Sequence, residues 1–290
     1  MRRCVVTGGC GFIGSHFVRR LFLEIDCESI IVLDNAVGMA TDKCCHAKVA
    51  YYEGDIRNID FLKQHIQQGD TIFHFAAIAR TPWCVQEPLL CHEVNLSGTL
   101  NILEIARQNG ARRVVLSSSN VALAGPTLYR STKRAIEEYA QVYNELYGVS
   151  VIALRYSNVY GMGQKEDGIG PNVFAAFRKQ KRELGQCIIT GDGLQSRDFT
   201  HVSDIVDANL LAAKSSYSGT VDICTGRALS MNYIVQELFQ AKAIYVDERP
   251  GDIKHIIQDP SRALEILGFQ AKVRLEDGFV DVADKVLCPE

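Results

Sequence analysis

Eight residues near the start of the chain, Thr7-Gly8-Gly9-Cys10-Gly11-Phe12-Ile13-Gly14, constrain the fold more than any other stretch. They follow a short apolar run, Arg3-Cys4-Val5-Val6, that reads as a buried strand. After them Phe12, Ile13, Phe17, Leu21 and Ile25 recur at helical spacing, with Arg19, Arg20 and Glu24 between them. Glycines spaced G-x-x-G-x-x-G between strand and helix allow a tight turn, a close backbone approach to a pyrophosphate, and tight packing of helix on strand. Free N–H groups and the dipole at the helix start then favour an anion.

Twenty residues beyond Gly14, Asp34 closes a second apolar run, Ile30-Ile31-Val32-Leu33. A carboxylate there can accept hydrogen bonds from both ribose hydroxyls of an adenosine and repels a 2′-phosphate, so the spacing predicts a site for NAD rather than NADP. Further strand-like runs follow at Val49-Ala50-Tyr51-Tyr52, Thr71-Ile72-Phe73-His74-Phe75 and Arg113-Val114-Val115-Leu116. Helical patterns separate them, one opening at Asn58, a long one from about Pro88 to Asn109, and another from Tyr129 to about Tyr147. This alternation predicts an α/β fold with a Rossmann-type, doubly wound parallel sheet. Ligands of such sheets bind beyond the carboxyl ends of the strands, which puts Asp34, Asp55, Ala76 and Ala77 on one crevice. His74 is read as a packed or hydrogen-bonded strand-end histidine. The loop Ile78 to Gln86, with Arg80, Pro82 and Trp83, is either a substrate contact or a surface loop.

Composition excludes several classes. With 31 Lys and Arg against 34 Asp and Glu, and no long block of one sign, neither nucleic acid nor an anionic membrane is an expected partner. No apolar run approaches the ~20 residues of a membrane span, and the chain passes from Met1-Arg2-Arg3 directly into a strand, leaving no room for a signal peptide. Ten scattered cysteines without C-x-x-C pairs suit a reduced, cytoplasmic protein. Cys44-Cys45-His46 lacks a second ligand pair, so no metal is expected.

The chemistry sits farther along. Arg113-Val114-Val115-Leu116 ends in Ser117-Ser118-Ser119-Asn120, and after a short loop come Tyr129 and Lys133, four apart and so on one helix face. A tyrosine hydroxyl titrates near ~10, too high for a base at neutral pH. An ammonium beside it, helped by the positive charge of an oxidised nicotinamide, favours the phenolate. Such a tyrosine can take a proton from an alcohol while hydride leaves for the cofactor, and a serine at the strand tip can bind the same hydroxyl.

Taken together, the glycine turn, Asp34-Asn35, Gly54-Asp55-Ile56, His74-Phe75-Ala76-Ala77, the serine triplet and Tyr129-x-x-x-Lys133 resemble the extended short-chain dehydrogenase/reductases. More narrowly they resemble the NAD-dependent epimerase/dehydratase family acting on nucleotide sugars. The likeness continues through Arg155-Tyr156-Ser157-Asn158-Val159-Tyr160-Gly161, Gly191-Asp192-Gly193, Arg197-Asp198-Phe199-Thr200-His201-Val202 and Arg249-Pro250-Gly251-Asp252. It implies catalysis by Ser119, Tyr129 and Lys133. Cofactor contacts are implied for Gly8, Gly11, Phe12, Ile13, Gly14, Asp34 and Asn35 around the first turn. Asp55, Ile56, Phe75, Ala76, Ala77 and Asn95 would add to them, with Tyr129, Lys133, Tyr156 and Val159 beyond. Substrate contacts are implied for Arg80, Ser119, Asn158, Asn172, Arg197, Arg249 and Asp252, with Arg197 and Arg249 suiting a diphosphate. The partner is then a nucleotide-diphosphate sugar, and family dimers imply a homodimer through the helices beginning at Pro88 and Tyr129.

Within the family the likeness is nearest to UDP-glucose 4-epimerases, since Asn120 and Val121 stand where dehydratases and decarboxylases carry acidic residues after the serine or threonine. The implied reaction is epimerisation at C4, most readily of a UDP-sugar, through a transient 4-keto sugar. A nucleotide-sugar reductase or 4,6-dehydratase is the enzymatic alternative. A non-catalytic binding protein is another, because the loop between Ser119 and Tyr129 is shorter than in typical relatives and Leu123-Ala124-Gly125 replaces the usual V-Y-G. The expected organisation is an NAD-binding domain over 1–157, rejoined in part by 187–226, and a smaller α/β substrate-binding domain over 158–290.

Overall fold

The structure is a computed structural model that describes residues 1–37, 43–164, 172–248, 254–256 and 258–280. Its first half alternates strand and helix: β1 (Arg3–Thr7), α1 (Phe12–Leu21), β2 (Ser29–Asp34), β3 (Val49–Glu53), α2 (Ile59–His65) and β4 (Thr71–His74). There follow α3 (Thr81–Gln86), α4 (Pro88–His92), α5 (Gly98–Asn109), β5 (Arg113–Ser119), α6 (Leu128–Tyr147) and β6 (Val151–Tyr156). The second half adds β7 (Asn158–Tyr160), α7 (Val173–Leu184), β8 (Gln186–Thr190), β9 (Ser196–His201), α8 (Val202–Lys214), β10 (Gly219–Ile223), β11 (Ala228–Ser230) and β12 (Lys242–Val246).

Seven strands form one parallel sheet in the order β10-β6-β5-β4-β1-β2-β3. The chain runs outward from β1 to β3 and then crosses back to β4, so the strand order reverses between β1 and β4. A crevice opens at that reversal, beyond the carboxyl ends of the two strands.

Both faces of the sheet are covered, and the alternation of side chains along each strand divides the core in two. Cys4 and Val6 of β1 join Val32, Phe73, Val115 and Ile152 in a cluster under α1 and α8. Val5 points the other way, with Ile31, Ile72, Val114 and Val151, under α2, α5 and α6. Each such side chain, wholly buried, contributes about 1.5–3 kcal/mol. A third cluster, separate from these, gathers Tyr160, Phe174, Phe177, Phe199, Phe239 and Phe279. Around it lie two small sheets, β11-β9-β7 and β12-β8. From the segment 187–226, β10 does return to the edge of the large sheet, whereas β8 and β9 join the small ones.

Three local expectations are corrected. The stretch 78–86 is not loop throughout: α3 begins behind Arg80, with Pro82 near its start, where a missing N–H costs nothing. The long helix from Pro88 is interrupted by a π-helical turn, Glu93–Ser97, which directs Asn95 into the interior. The cysteines are not all free, because Cys84 and Cys91 form a disulfide across seven residues, both sulfurs lying in one apolar cluster with Ile78 and Tyr129. The other seven described cysteines are free. Among the described residues no helix is long and apolar enough to cross a membrane, and no group of three or more His, Cys, Asp or Glu is arranged to hold a metal.

Candidate active site

The glycine turn joins β1 to α1 at the switch point. Gly8 has φ +68° and faces the start of the β4 loop, where a Cβ would lie 2.6 Å from the Ala76 nitrogen. A Cβ on Gly14 would stand 2.1 Å from the Gly8 carbonyl oxygen. Gly9, which the motif reading did not single out, is confined too, with Val32 Cγ1 2.6 Å from its would-be Cβ. Gly11 precedes α1 without any side-chain cap, so the first N–H groups of the helix remain open to an anion. At the tip of β2 the Asp34 carboxylate accepts from the Cys10 N–H at 2.9 Å and the Ala36 N–H at 2.8 Å, which locks it beside the turn. Asn35 is exposed next to it, while Phe12 and Ile13 are half-buried at the head of α1. A backbone cradle, an uncapped helix start and a fixed carboxylate fit the pyrophosphate and ribose of NAD.

Beyond β3, next to Asp34, the Asp55 carboxylate is held below the usual range by the Arg57 side chain, which also reaches Glu93. Ile56 is buried against Gly98. Phe75 packs on Phe17 with ring centroids 5.2 Å apart, and Ala76 and Ala77 follow it, half-buried.

His74 is not a reacting group. The Thr99 hydroxyl donates to the Asn95 carbonyl oxygen, which leaves its oxygen to accept from His74 Nε2–H at 2.9 Å. The Thr7 hydroxyl donates to His74 Nδ1 at 2.7 Å and accepts in turn from the Ala76 N–H. Burial, with Lys133 nearby, pushes the imidazole down to about 3, so it is neutral. Asn95 is likewise occupied: its side chain accepts from the Ile78 N–H at 2.7 Å and donates to the Ile78 carbonyl at 3.0 Å. It therefore fixes the turn after β4.

At the tip of β5 the three serines part company. Ser117 donates to the His74 carbonyl at 2.7 Å, and Ser118 faces the other way and donates to Glu137. Ser119 donates to Asn120 Oδ1 at 3.4 Å, accepts from the Val121 N–H at 3.3 Å, and is the half-buried one at the crevice. A single 3₁₀ turn, Asn120–Leu123, and a Thr127 cap on α6 complete the short connection to Tyr129. Tyr129 and Lys133 are both buried, with Lys133 Nζ 5.8 Å from the centre of the tyrosine ring. Lys133 also donates to the Ser117 carbonyl at 2.8 Å. Burial pushes Tyr129 up to about 12, opposed by the Arg80 guanidinium and the Ser119 hydroxyl. Burial pushes Lys133 down to about 8, opposed by Glu137.

Glu137 was not among the residues singled out in the sequence. It is buried, takes Ser118, and pairs with Arg155 through two hydrogen bonds of 2.8 and 2.7 Å. Its signal was the continued spacing of four: Tyr129, Lys133 and Glu137 share one face of α6.

The residues expected to meet the substrate are less uniform. Arg80 is half-buried beside Tyr129. Asn158 Oδ1 accepts from Asn120 at 3.4 Å, which brings it to the Ser119 end of the crevice. Asn172 caps α7 by accepting from the Phe174 N–H at 2.9 Å and donates to the Val159 carbonyl, so its amide serves the fold. Tyr156 also turns inward, donating to Asn209 at 2.9 Å. Arg197 donates to the carbonyls of Ser196 on β9 and of Lys254. Its neighbour Asp198, also not singled out, is buried and accepts the N–H groups of Thr225, Gly226 and Arg227. Arg249 and Asp252 lie outside the described residues.

Residues 4–224 match the sequence pattern of the NAD dependent epimerase/dehydratase family. The chain belongs to that family. Its relatives include a putative UDP-glucose 4-epimerase of Methanocaldococcus jannaschii, 33% identical with 97% of each chain covered. The UDP-glucose 4-epimerase of Thermotoga maritima, solved with UDP-glucose, superposes with a TM-score of 0.89 at 30% identity over 97% of both chains. That of Thermus thermophilus, solved with NAD, gives 0.85 at 28% identity over 97% of both. Membership establishes NAD as the cofactor of this epimerase/dehydratase chain and a nucleotide-sugar enzyme as its class.

Proposed function

We propose that the protein interconverts a nucleotide-diphosphate sugar and its 4-epimer, with a UDP-sugar as substrate. The observation that carries this reading is the convergence of Tyr129, Lys133 and Ser119 at the switch-point crevice with an amide, Asn120, rather than an acid after the serine. NAD, when bound, supplies the chemistry of accepting a hydride from C4 and giving it back. The protein's own residues do the rest. Tyr129 as phenolate takes the proton of the 4-hydroxyl and later returns it, and Lys133 keeps a positive charge beneath the ring. Ser119, the half-buried serine at the tip of β5, orients the same hydroxyl. Nothing after Ser119 is acidic through Leu123, so the keto sugar meets no added acid there to eliminate water. Arg197 and Arg249 are the cations proposed for the diphosphate, with Asn158 at the sugar or diphosphate and Arg80 a further substrate contact.

The proposal extends to organisation: residues 1–157 hold the cofactor, and the third core beyond them closes over the sugar. Two copies associate through α5 and α6, in keeping with Leu146 and Tyr147, which lie 72% and 51% exposed on α6. The cytoplasm is the compartment proposed, supported by the seven free cysteines.

The test is incubation of the purified protein, without added cofactor, with a panel of UDP-, dTDP- and GDP-sugars, and separation of the products. One sugar should equilibrate with its 4-epimer with no net NADH, and Tyr129→Phe should lower the rate by about a hundredfold or more while NAD still binds. Net NADH or an accumulating keto sugar would favour the reductase or dehydratase alternative. An inert protein that binds NAD would leave the non-catalytic one.

A further inference from the structure

We infer that Glu137 is a positioning residue of the reaction: gripped by Arg155, it fixes α6 against the tip of β5 and so sets the gap between Ser119 and Tyr129. This rests on the reading of those two residues as the pair that meets the 4-hydroxyl.

Ser119 and Tyr129 belong to different elements, and the chain between them does little to hold them in register. It is one 3₁₀ turn and a few further residues, with Leu123 and Leu128 exposed and open space where a Cβ on Gly125 would stand. Proton transfer needs its heavy atoms within about 2.6–3.2 Å, and a misplacement of about 1 Å can cost about a hundredfold in rate. The gap must therefore be set by contacts between helix and strand.

Two such contacts stand one helical turn apart. Lys133 donates to the Ser117 carbonyl at 2.8 Å, and the buried Glu137 accepts from the Ser118 hydroxyl. Held at two successive residues of β5, the helix can neither slide along the strand nor roll on it without breaking one of them. Asn95 also reaches the Thr132 hydroxyl, at 3.4 Å, but it ties α6 to the π-helical turn and not to β5.

The Glu137 contact is itself anchored from the sheet. Both carboxylate oxygens are taken, Oε1 by Ser118 and by Arg155 Nε–H at 2.8 Å, Oε2 by Arg155 Nη2–H at 2.7 Å. Ser118, Arg155 and Asp222 are register neighbours on β5, β6 and β10, so the carboxylate docks on a row of three adjoining strands. Asp222 lies 3.7 Å from Arg155 Nη1, and Gln258 donates to the Arg155 carbonyl at 3.1 Å, which keeps the guanidinium from following the helix. A buried ion pair adds little net stability, because desolvation offsets most of the attraction. What this one supplies is direction: two parallel hydrogen bonds aim the carboxylate at the hydroxyl next to Ser119.

The experiment compares the NAD-bound wild type with Glu137→Asp, Ser118→Ala and Ser118→Thr. Crystal structures measure the separation of Ser119 Oγ and Tyr129 Oη, and kcat is taken per NAD site counted by calorimetry, so that misfolded protein does not enter. Aspartate is too short to hold Ser118 and Arg155 together, and alanine removes the hydroxyl. In both the separation should lengthen by about 1 Å and kcat should fall by about tenfold or more, while KM for the sugar and NAD affinity stay within about twofold. Ser118→Thr keeps a hydroxyl and should bring both measures back towards wild type. Should Glu137→Asp not fold, Ser118→Ala carries the test, since it removes one hydrogen bond and leaves the ion pair whole. An unmoved separation, whether kcat falls or not, would overturn the inference, and so would a lengthened one with kcat unchanged. If the wild type turns over no sugar, the separation alone decides the role of Glu137, and only the epimerase reading fails.

Discussion

Gly14 has the least room of any residue in the cofactor turn. A methyl group there would press into the Gly8 carbonyl oxygen from 2.1 Å, against backbone that cannot swing aside. Gly14→Ala is expected to cost about 1–3 kcal/mol, lowering the thermal midpoint by several degrees, and to abolish NAD binding measured by calorimetry. An alanine variant that melts and binds as wild type would mean the turn is looser than described. This residue was legible in the sequence because spacing alone restricts what a strand-to-helix turn can be. Gly9 was not, since its restriction comes from Val32 on the next strand, a tertiary contact. The same contrast separates Tyr129 and Lys133, readable from one helix, from Glu137, whose partner Arg155 arrives from β6. Asn95, Asn172 and Tyr156 were read as ligand contacts from motif alone. The polar atoms of Asn95 and Tyr156 are directed to Ile78 and Asn209, which only the fold brings near, while Asn172 caps the start of its own helix at Phe174.

At the scale of elements, the hydrogen-bond chain Ala76–Thr7–His74–Thr99–Asn95 joins the ends of β1 and β4 to the π-helical turn. It requires a neutral imidazole, which has a consequence for pH. The folded protein holds His74 unprotonated down to about 3, whereas an unfolded chain protonates it below about 6.5. Between those values the unfolded state binds the extra proton, so stability is lost as pH falls through that window, by up to about 1.4 kcal/mol per pH unit. Denaturant unfolding at stepped pH should show this slope, and His74→Gln should flatten it by about that amount. An equal slope in the variant would refute the neutral-imidazole chain. The alternation of strands and helices was plain from periodicity, yet α3 and the π-helical turn were not. Six residues containing a proline give too little pattern to separate helix from loop, and an extra residue per turn is set by what Asn95 must reach.

For the molecule as a whole, the large sheet was legible and the second half much less so, because short strands such as β7 and β11 bury their residues only through long-range pairing. The proposed dimer belongs to this scale. Sedimentation should give a dimer for the wild type, and Leu146→Asp, which puts a charge on the outer face of α6, should weaken association by about tenfold or more. A wild-type monomer at working concentration would remove that part of the reading.

The brief connection from Ser119 to Tyr129 has a consequence for selection among sugars. A wall screens by refusing what is too large; an anchor screens by rewarding what it grips. With one 3₁₀ turn in place of a longer segment, flanked by exposed Leu123 and Leu128, this crevice has little with which to refuse. It would then tell its substrates apart by what they present to Arg80, Ser119 and Tyr129 and be indifferent to bulk at the rim, so that several sugars of different size could share one enzyme.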